Sequence, residues 1–124
     1  MKRVVMMLIA MLTIAMQVSA AEQNITSREA KTVMEKNRNV YLLDVRTPRE
    51  YSQGRLPGSV LIPIGELERR IAEVPKNRPV LVYCTVGARS SSAAALLTRR
   101  GYSEVYNMYD GISGWYRNGF PIQK

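Results

Sequence analysis

Short, mainly apolar stretches at Val40 to Val45, Ser59 to Ile62, Val80 to Tyr83 and Glu104 to Met108 alternate with helical segments, and this alternation constrains the fold more than any other feature. A strand with one face in water alternates apolar and polar residues; a run such as Val80-Leu81-Val82-Tyr83, entered through Pro79, is apolar on both faces. The pattern predicts an α/β fold with a parallel central sheet and helices on both faces. In such sheets the working site lies beyond the carboxyl ends of the strands. Cys84, directly after Tyr83, falls there by position alone.

The helices announce themselves through caps and spacing. Thr26-Ser27-Arg28-Glu29 reads as a capping box opening a helix to about Lys36, and Thr47-Pro48-Arg49-Glu50 as a second one with proline at the first helical position. Over 65 to 73, Leu67, Ile71 and Val74 stand at helical spacing against Glu66, Glu68, Arg69, Arg70 and Glu73, which predicts one surface helix. Ser90 to Arg100 predicts another, with Ala93, Leu96 and Leu97 inward and Gly101 closing it. Ile112 to Tyr116 predicts a short last helix carrying Trp115; Leu56-Pro57-Gly58 and Asp110-Gly111 read as turns. Residues 21 to 124 contain no repeat or linker and form one expected domain.

The first twenty residues follow a different logic. Met1-Lys2-Arg3, the uncharged run Val4 to Met16, and Val18 and Ala20 in the small-residue cleavage positions make a secretory signal pattern over 1 to 20. A periplasmic or secreted mature chain is the expectation. The alternative is an uncleaved anchor, against which Thr13, Gln17 and Ser19 interrupt the run a bilayer requires. The net charge of +8, from 18 basic and 10 acidic residues, includes Lys2 and Arg3; without them 16 stand against 10. Arg69-Arg70 and Arg99-Arg100 lie in amphipathic segments, with no basic stripe interleaved with aromatics, so a nucleic-acid partner is not expected.

Histidine is absent and Cys84 is the one cysteine, which excludes Cys-His dyads, His-ligated metals, internal disulfides and multi-thiolate zinc sites. Neither a metal nor an organic cofactor is implied. In an oxidising compartment a solitary thiol is either a buried inert residue or a reactive group. The context favours reactivity: a strand ends at Cys84, a turn through Thr85, Val86, Gly87 and Ala88 follows, and a helix begins near Arg89 and Ser90. Backbone N–H groups of residues 85 to 90, the positive end of the helix and Arg89 are expected to lower the thiol pKa and to hold an anion there. The thiol is expected to lie where solutes reach it.

Cys84-x-x-Gly87-x-Arg89 resembles the active loop of the single-domain rhodaneses, the thiosulfate sulfurtransferases. Leu43-Asp44-Val45-Arg46 with Glu50-Tyr51, Gly54-Arg55-Leu56-Pro57-Gly58-Ser59 with Ile62-Pro63, and Gly101-Tyr102, Val105, Gly111-Ile112 to Trp115, Gly119 and Pro121 extend the resemblance over the mature chain. It implies a rhodanese-like fold and a Cys84 persulfide that carries sulfur from an anionic donor to cyanide or a thiol. Thr85, Val86, Gly87, Ala88, Arg89 and Ser90 are then the expected substrate-binding residues. Arg55 replaces the family's usual histidine, and Asp110 the first glycine of a usual Gly-Gly pair, where a left-handed turn and a carboxylate near the pocket are expected. Asp44, Arg46 and Glu50 read as an ion pair and a helix cap.

Related phosphatases and arsenate reductases carry five residues between cysteine and arginine; four stand here. Phosphate ester cleavage also needs a general acid, whereas sulfite leaves thiosulfate without one. The other alternative is a persulfide carrier or binding module for a protein partner, for which Tyr102, Tyr106, Tyr109, Trp115 and Tyr116 offer an aromatic rim if they do not serve as packing.

Overall fold

The computed structural model describes residues 22–124, so the signal segment read over 1 to 20 lies outside the described residues. Five strands form one sheet in the order β1-β5-β4-β2-β3: β1 is Gln23–Ile25, β2 Tyr41–Asp44, β3 Val60–Leu61, β4 Val80–Tyr83 and β5 Val105–Met108. Every pairing among them is parallel. The helices are α1 (Ser27–Lys36), α2 (Pro48–Gln53), α3 (Ile64–Leu67), α4 (Ala88–Arg99) and α5 (Gly111–Arg117). The α/β fold with a parallel sheet covered on both faces is the one the alternation implies.

Two cores result from that covering. Leu43, Val45, Val80, Val82 and Val105 meet Leu67, Ala93, Ala94 and Leu97 of α3 and α4 on one face. On the other, Leu42, Leu81, Tyr83 and Met108 meet Ala30 and Trp115 of α1 and α5. All four residues of β4 are buried, as its unbroken apolar run requires. Both capping boxes are present in full at Thr26–Glu29 and Thr47–Glu50. In α4 the inner face is Ala93, Ala94 and Leu97, with Leu96 packed at its margin.

Two elements depart from the sequence reading. The single helix expected over 65 to 73 is divided: α3 ends at Leu67, and Ile71–Glu73 forms a 3₁₀ turn. The Arg70 N–H is shared between the carbonyls of Glu66 (3.0 Å) and Leu67 (3.2 Å), which marks the passage from α to 3₁₀ winding. The Tyr102 hydroxyl then donates to the Val74 carbonyl at 2.5 Å, which fixes the tightened segment against the core. The second departure is β1, which sequence reading did not find. Gln23 and Asn24 are exposed, so only Ile25 carries an apolar signal.

A buried polar group ties the sheet together beneath the site. Arg46 donates through Nε (3.0 Å) and Nη2 (2.7 Å) to Asp44 and through Nη2 to the Gly54 carbonyl (2.7 Å). The Tyr83 hydroxyl donates to Asp44 Oδ2 at 2.7 Å and accepts the Leu56 N–H at 3.2 Å. Asp44 and Arg46 thus form the structural ion pair the sequence suggested, linking the ends of β2 and β4. Arg55 is structural as well: its backbone pairs with Gln123, and its guanidinium lies 4.6 Å from the Tyr51 ring centroid.

Candidate active site

The central strand β4 delivers Cys84 to the carboxyl edge of the sheet, and the turn to α4 wraps the sulfur. Gly87 adopts φ +103°, a left-handed conformation natural to glycine, and turns the chain sharply enough that its N–H points back to Cys84 Sγ at 3.1 Å. The Ser90 N–H lies 3.4 Å from Sγ and the Ser90 hydroxyl 3.5 Å. Burial pushes the Cys84 thiol up, but hydrogen bonds from the Ser90 hydroxyl and from the N–H groups of Ser90, Gly87 and Val86 outweigh it, so its pKa lies below the ordinary value. The Ser90 hydroxyl leads this lowering, followed by the backbone N–H groups at the start of α4; Arg89, expected to contribute, is paired with Glu50 instead.

The Ser90 hydroxyl has a single hydrogen and two acceptors within reach, since the Gly87 carbonyl lies at 3.2 Å. With a neutral thiol, S–H donates to Ser90 Oγ and Ser90 donates to Gly87. With a thiolate, the Ser90 hydrogen turns to the sulfur. The residue therefore accommodates both protonation states without moving its heavy atoms.

The expectation of an open thiol is corrected by the structure. Cys84 is only 1% exposed, and its side chain belongs to the α3/α4 core. The turn that aims N–H groups at the sulfur lies between it and Val86, whose side chain is exposed, as is that of Ala88. A polar N–H shell on one side and hydrocarbon on the other make this neither an inert core cysteine nor a solvated nucleophile.

Arg89 is also placed differently from its expected position on the anion. Its Nη1 and Nη2 donate to Glu50 Oε1 (2.7 Å) and Oε2 (3.0 Å), and Nη2 to Thr85 Oγ1 (3.1 Å). Thr85 in turn donates to Glu50 Oε2 at 2.9 Å. The Arg89 guanidinium, with the Thr47 and Thr85 bonds, holds the Glu50 carboxyl well below the usual carboxylate range. Of the six loop residues singled out, Val86, Gly87 and Ser90 turn donors to the sulfur; Thr85 and Arg89 engage Glu50; Ala88 opens α4 and is exposed. Glu50 is the site residue that sequence reading assigned to capping alone. Strands β2 and β4 are neighbours, so segments leaving their carboxyl ends must meet, and that was the available signal.

Asp110 neither adopts a left-handed turn nor supplies a carboxylate to the sulfur loop. Its φ is −88°, and the following Gly111 takes the positive φ of +63°. Its carboxylate accepts the Ser27 N–H (2.8 Å) and hydroxyl (2.7 Å) at the start of α1. From α5, Ile112 N–H donates to the Cys84 carbonyl (2.8 Å) and Ser113 N–H to the Thr85 carbonyl (3.2 Å), bracing the loop from below. The aromatic rim reduces to Tyr109 and Tyr116, which are exposed, with Tyr106 half-buried; Trp115 and Tyr102 are buried packing residues.

A doubly covered parallel sheet with an N–H-cradled thiol at the end of its central strand defines the rhodanese-like class, and the chain belongs to that family: the model of the rhodanese-like domain matches residues 26–118. Among its relatives, a sulfurtransferase of Allochromatium vinosum is 44% identical over 84 residues, covering 68% of this chain and 78% of that protein. A thiosulfate sulfurtransferase, GlpE, of Pseudoalteromonas translucida is 30% identical over 77 residues, covering 62% and 73% respectively. The crystal structure of a rhodanese-related protein from Thermoplasma volcanium superposes with a TM-score of 0.74 at 28% identity, covering 82% of this chain and 97% of that one. Sulfur transfer is the general role these relatives support.

Proposed function

We propose that the chain is a sulfurtransferase that moves a sulfane sulfur from thiosulfate or a similar anionic donor, through a Cys84 persulfide, to a thiophilic acceptor such as cyanide or a thiol. The carrying observation is the convergence of the Gly87 and Ser90 N–H groups and the Ser90 hydroxyl on Sγ. The Cys84 thiolate attacks the outer sulfur of thiosulfate, a new S–S bond forms, the bond to the sulfonate sulfur breaks, and sulfite departs with the bonding pair. The persulfide is an anion too, and the same donors face it. Cyanide then attacks the outer sulfur, thiocyanate leaves, and the thiolate returns. No proton need move in either half-reaction, which suits a chain without histidine.

The covering turn bears on access. With Cys84 1% exposed, loading is proposed to include displacement of the 85 to 87 turn. That same burial favours a second reading, a persulfide carrier that discharges only to a protein able to open the turn. Repeated turnover with thiosulfate and cyanide separates the two, since a dedicated carrier stops after one loading. The four-residue spacing between Cys84 and Arg89 weighs against phosphate ester hydrolysis. The work is proposed to take place outside the cytoplasm, after removal of residues 1 to 20, which N-terminal sequencing of the exported chain tests.

The deciding experiment is intact mass after thiosulfate treatment. One added sulfur atom is expected, lost on cyanide addition and absent in Cys84→Ser. A gain that survives Cys84→Ser overturns the assignment.

A further inference from the structure

Charge is distributed unevenly along the strand axis. Because every strand is parallel, the sheet has a carboxyl edge, where Cys84 lies, and an amino edge opposite to it. At the amino edge stand Lys36 and Arg38 where α1 ends, Lys76 and Arg78 ahead of β4, and Arg99 at the end of α4. None of these has a carboxylate partner among the described residues. They share one surface: Arg78 Nε donates to the Asn39 carbonyl at 2.8 Å, joining the loops ahead of β2 and β4, and Lys76 Nζ lies 5.4 Å from the Tyr102 ring centroid, beside the end of α4. Among the described residues Glu22 and Glu104 alone oppose them there, since Glu35, Glu68 and Glu73 are taken by Lys31, Arg100 and Arg70. At the carboxyl edge, by contrast, Arg28, Arg49 and Arg89 are balanced by Glu29, Glu50 and Asp110.

Apolar surface adjoins these cations. A groove of about 500 Å³ is lined by Arg38 and Arg78 together with Met34, Val40, Leu42 and Trp115. An apolar wall beside positive charge suits a headgroup attached to hydrocarbon better than a polyanion of sugar and phosphate. The chain preceding the described residues joins at this edge as well. Strand β1 starts at Gln23, and residues 17 to 22 are all that separate it from the apolar run Val4 to Met16, a span of at most about 25 Å when fully extended. Whenever that run is held in a bilayer, the amino edge is the side of the domain next to the membrane.

We propose that the amino edge is a docking surface for an anionic bilayer, with Lys36, Arg38, Lys76, Arg78 and Arg99 set against lipid phosphates. The surface works independently of sulfur transfer. Each such cation near an anionic membrane is worth about fivefold in affinity, so the group gives a weak, reversible and salt-sensitive association rather than an anchor. Orientation is the functional consequence. With the amino edge on the lipid, the carboxyl edge points away from it, and the Cys84 turn faces the solution from which donors and acceptors arrive.

Cosedimentation of the exported chain with vesicles tests the docking edge. On vesicles of about 30% phosphatidylglycerol in phosphatidylcholine, at ~50 mM salt, binding is expected to be at least about tenfold tighter than on phosphatidylcholine alone, and the difference to vanish at ~500 mM. The triple variant Lys36→Gln, Arg38→Gln, Arg99→Gln, at exposed positions, is expected to abolish the difference. Arg28→Gln, Arg49→Gln, Arg117→Gln removes the same charge from exposed positions elsewhere and is expected to leave it within about threefold. Equal weakening in the two variants makes the effect one of net charge and overturns the proposal. Equal binding to charged and uncharged vesicles assigns attachment to the apolar run and overturns it too, as does tighter binding of a single-stranded oligonucleotide than of lipid. Alkylation of Cys84 by iodoacetamide is expected to run at the same rate on vesicles as in solution; slowing on vesicles would place the sulfur end against the lipid and reject the orientation.

Discussion

Arg89 spends both terminal nitrogens on Glu50, at 2.7 Å and 3.0 Å, so the cation nearest the sulfur loop is already neutralised by a carboxylate from the neighbouring strand's helix. A dianionic donor arriving at this mouth meets a balanced pair rather than a free guanidinium. Glu50→Gln keeps the capping box, because glutamine serves at that position, and removes the charge. The concentration of thiosulfate needed for half-maximal loading is expected to fall about three- to tenfold at low salt, and the gain to shrink at higher ionic strength. Loading rates followed by mass at two salt concentrations check it; an unchanged dependence would show that Glu50 does not restrain the site. The variant's stability has its own signature. Glu50 titrates below its ordinary value of 4.5, so its ion-pair stabilisation is fully present above that value and lost as pH falls toward the folded-state value. Parent and variant therefore converge in stability on acidification.

Ser90→Ala removes the hydroxyl that turns its hydrogen to the thiolate at 3.5 Å but leaves the Gly87 and Ser90 N–H groups in place. The pH profile of iodoacetamide alkylation is expected to move to higher pH, with a rate at neutral pH about tenfold lower, the scale of one hydrogen bond to a charged group. Because the folded thiol titrates below its ordinary 9.0, the unfolded chain binds the extra proton between the two values, and stability rises with pH through that window. The gain is complete above 9.0 and absent below the folded value, and Ser90→Ala flattens it. An unmoved alkylation profile would assign the ionisation to backbone dipoles alone.

The parts legible in the sequence were those whose cause is local. Both threonine caps, the unbroken run of β4 and the placement of Cys84 at a strand's end follow from residues within a few positions of each other. What escaped is long-range. β1 is three residues held by pairing with β5, and Glu50, read as a cap, doubles as the partner of a residue 39 positions away. The burial of Cys84 was misread for a related reason: a turn that can aim its N–H groups at a sulfur must wrap it, and the spacing Cys84-x-x-Gly87 states the first consequence without the second. Asn24 and Asn107 meet only because β1 and β5 are neighbours, so neither drew notice in the chain.

Asp110→Gly installs the residue usual in the family and isolates the role of the carboxylate. Asp110 accepts two hydrogen bonds from Ser27, one of them from the backbone at the first turn of α1. Their loss is expected to destabilise the fold by about 1–2 kcal/mol, the range of a helix-cap deletion. Thiosulfate loading is expected to stay unchanged, because the carboxylate is committed to α1. Urea unfolding and loading by mass measure the two; faster loading in the variant would return Asp110 to the role of a restraint on anions.

Gly111→Ala is expected to be the most disruptive of the small substitutions around the sulfur, for a reason that separates geometry from backbone strain. Gly111 and Gly119 have similar positive φ, +63° and +71°, so alanine at either incurs the left-handed penalty of about 1–2 kcal/mol. A Cβ at Gly119 meets nothing within 4 Å, whereas at Gly111 it would lie 2.1 Å from the Thr85 carbonyl oxygen and 2.7 Å from that of Cys84. Those are backbone atoms of the loop itself, held by the Ile112 and Ser113 N–H groups, and they cannot rotate aside as a side chain could. Relief requires α5 and the Cys84 turn to separate. The expected cost of Gly111→Ala is about 3 kcal/mol or more, beyond that of Gly119→Ala, accompanied by faster alkylation of Cys84 as the turn loosens. Urea midpoints of the two variants and their alkylation rates provide the comparison, and equal midpoints would mean that α5 does not brace the sulfur loop.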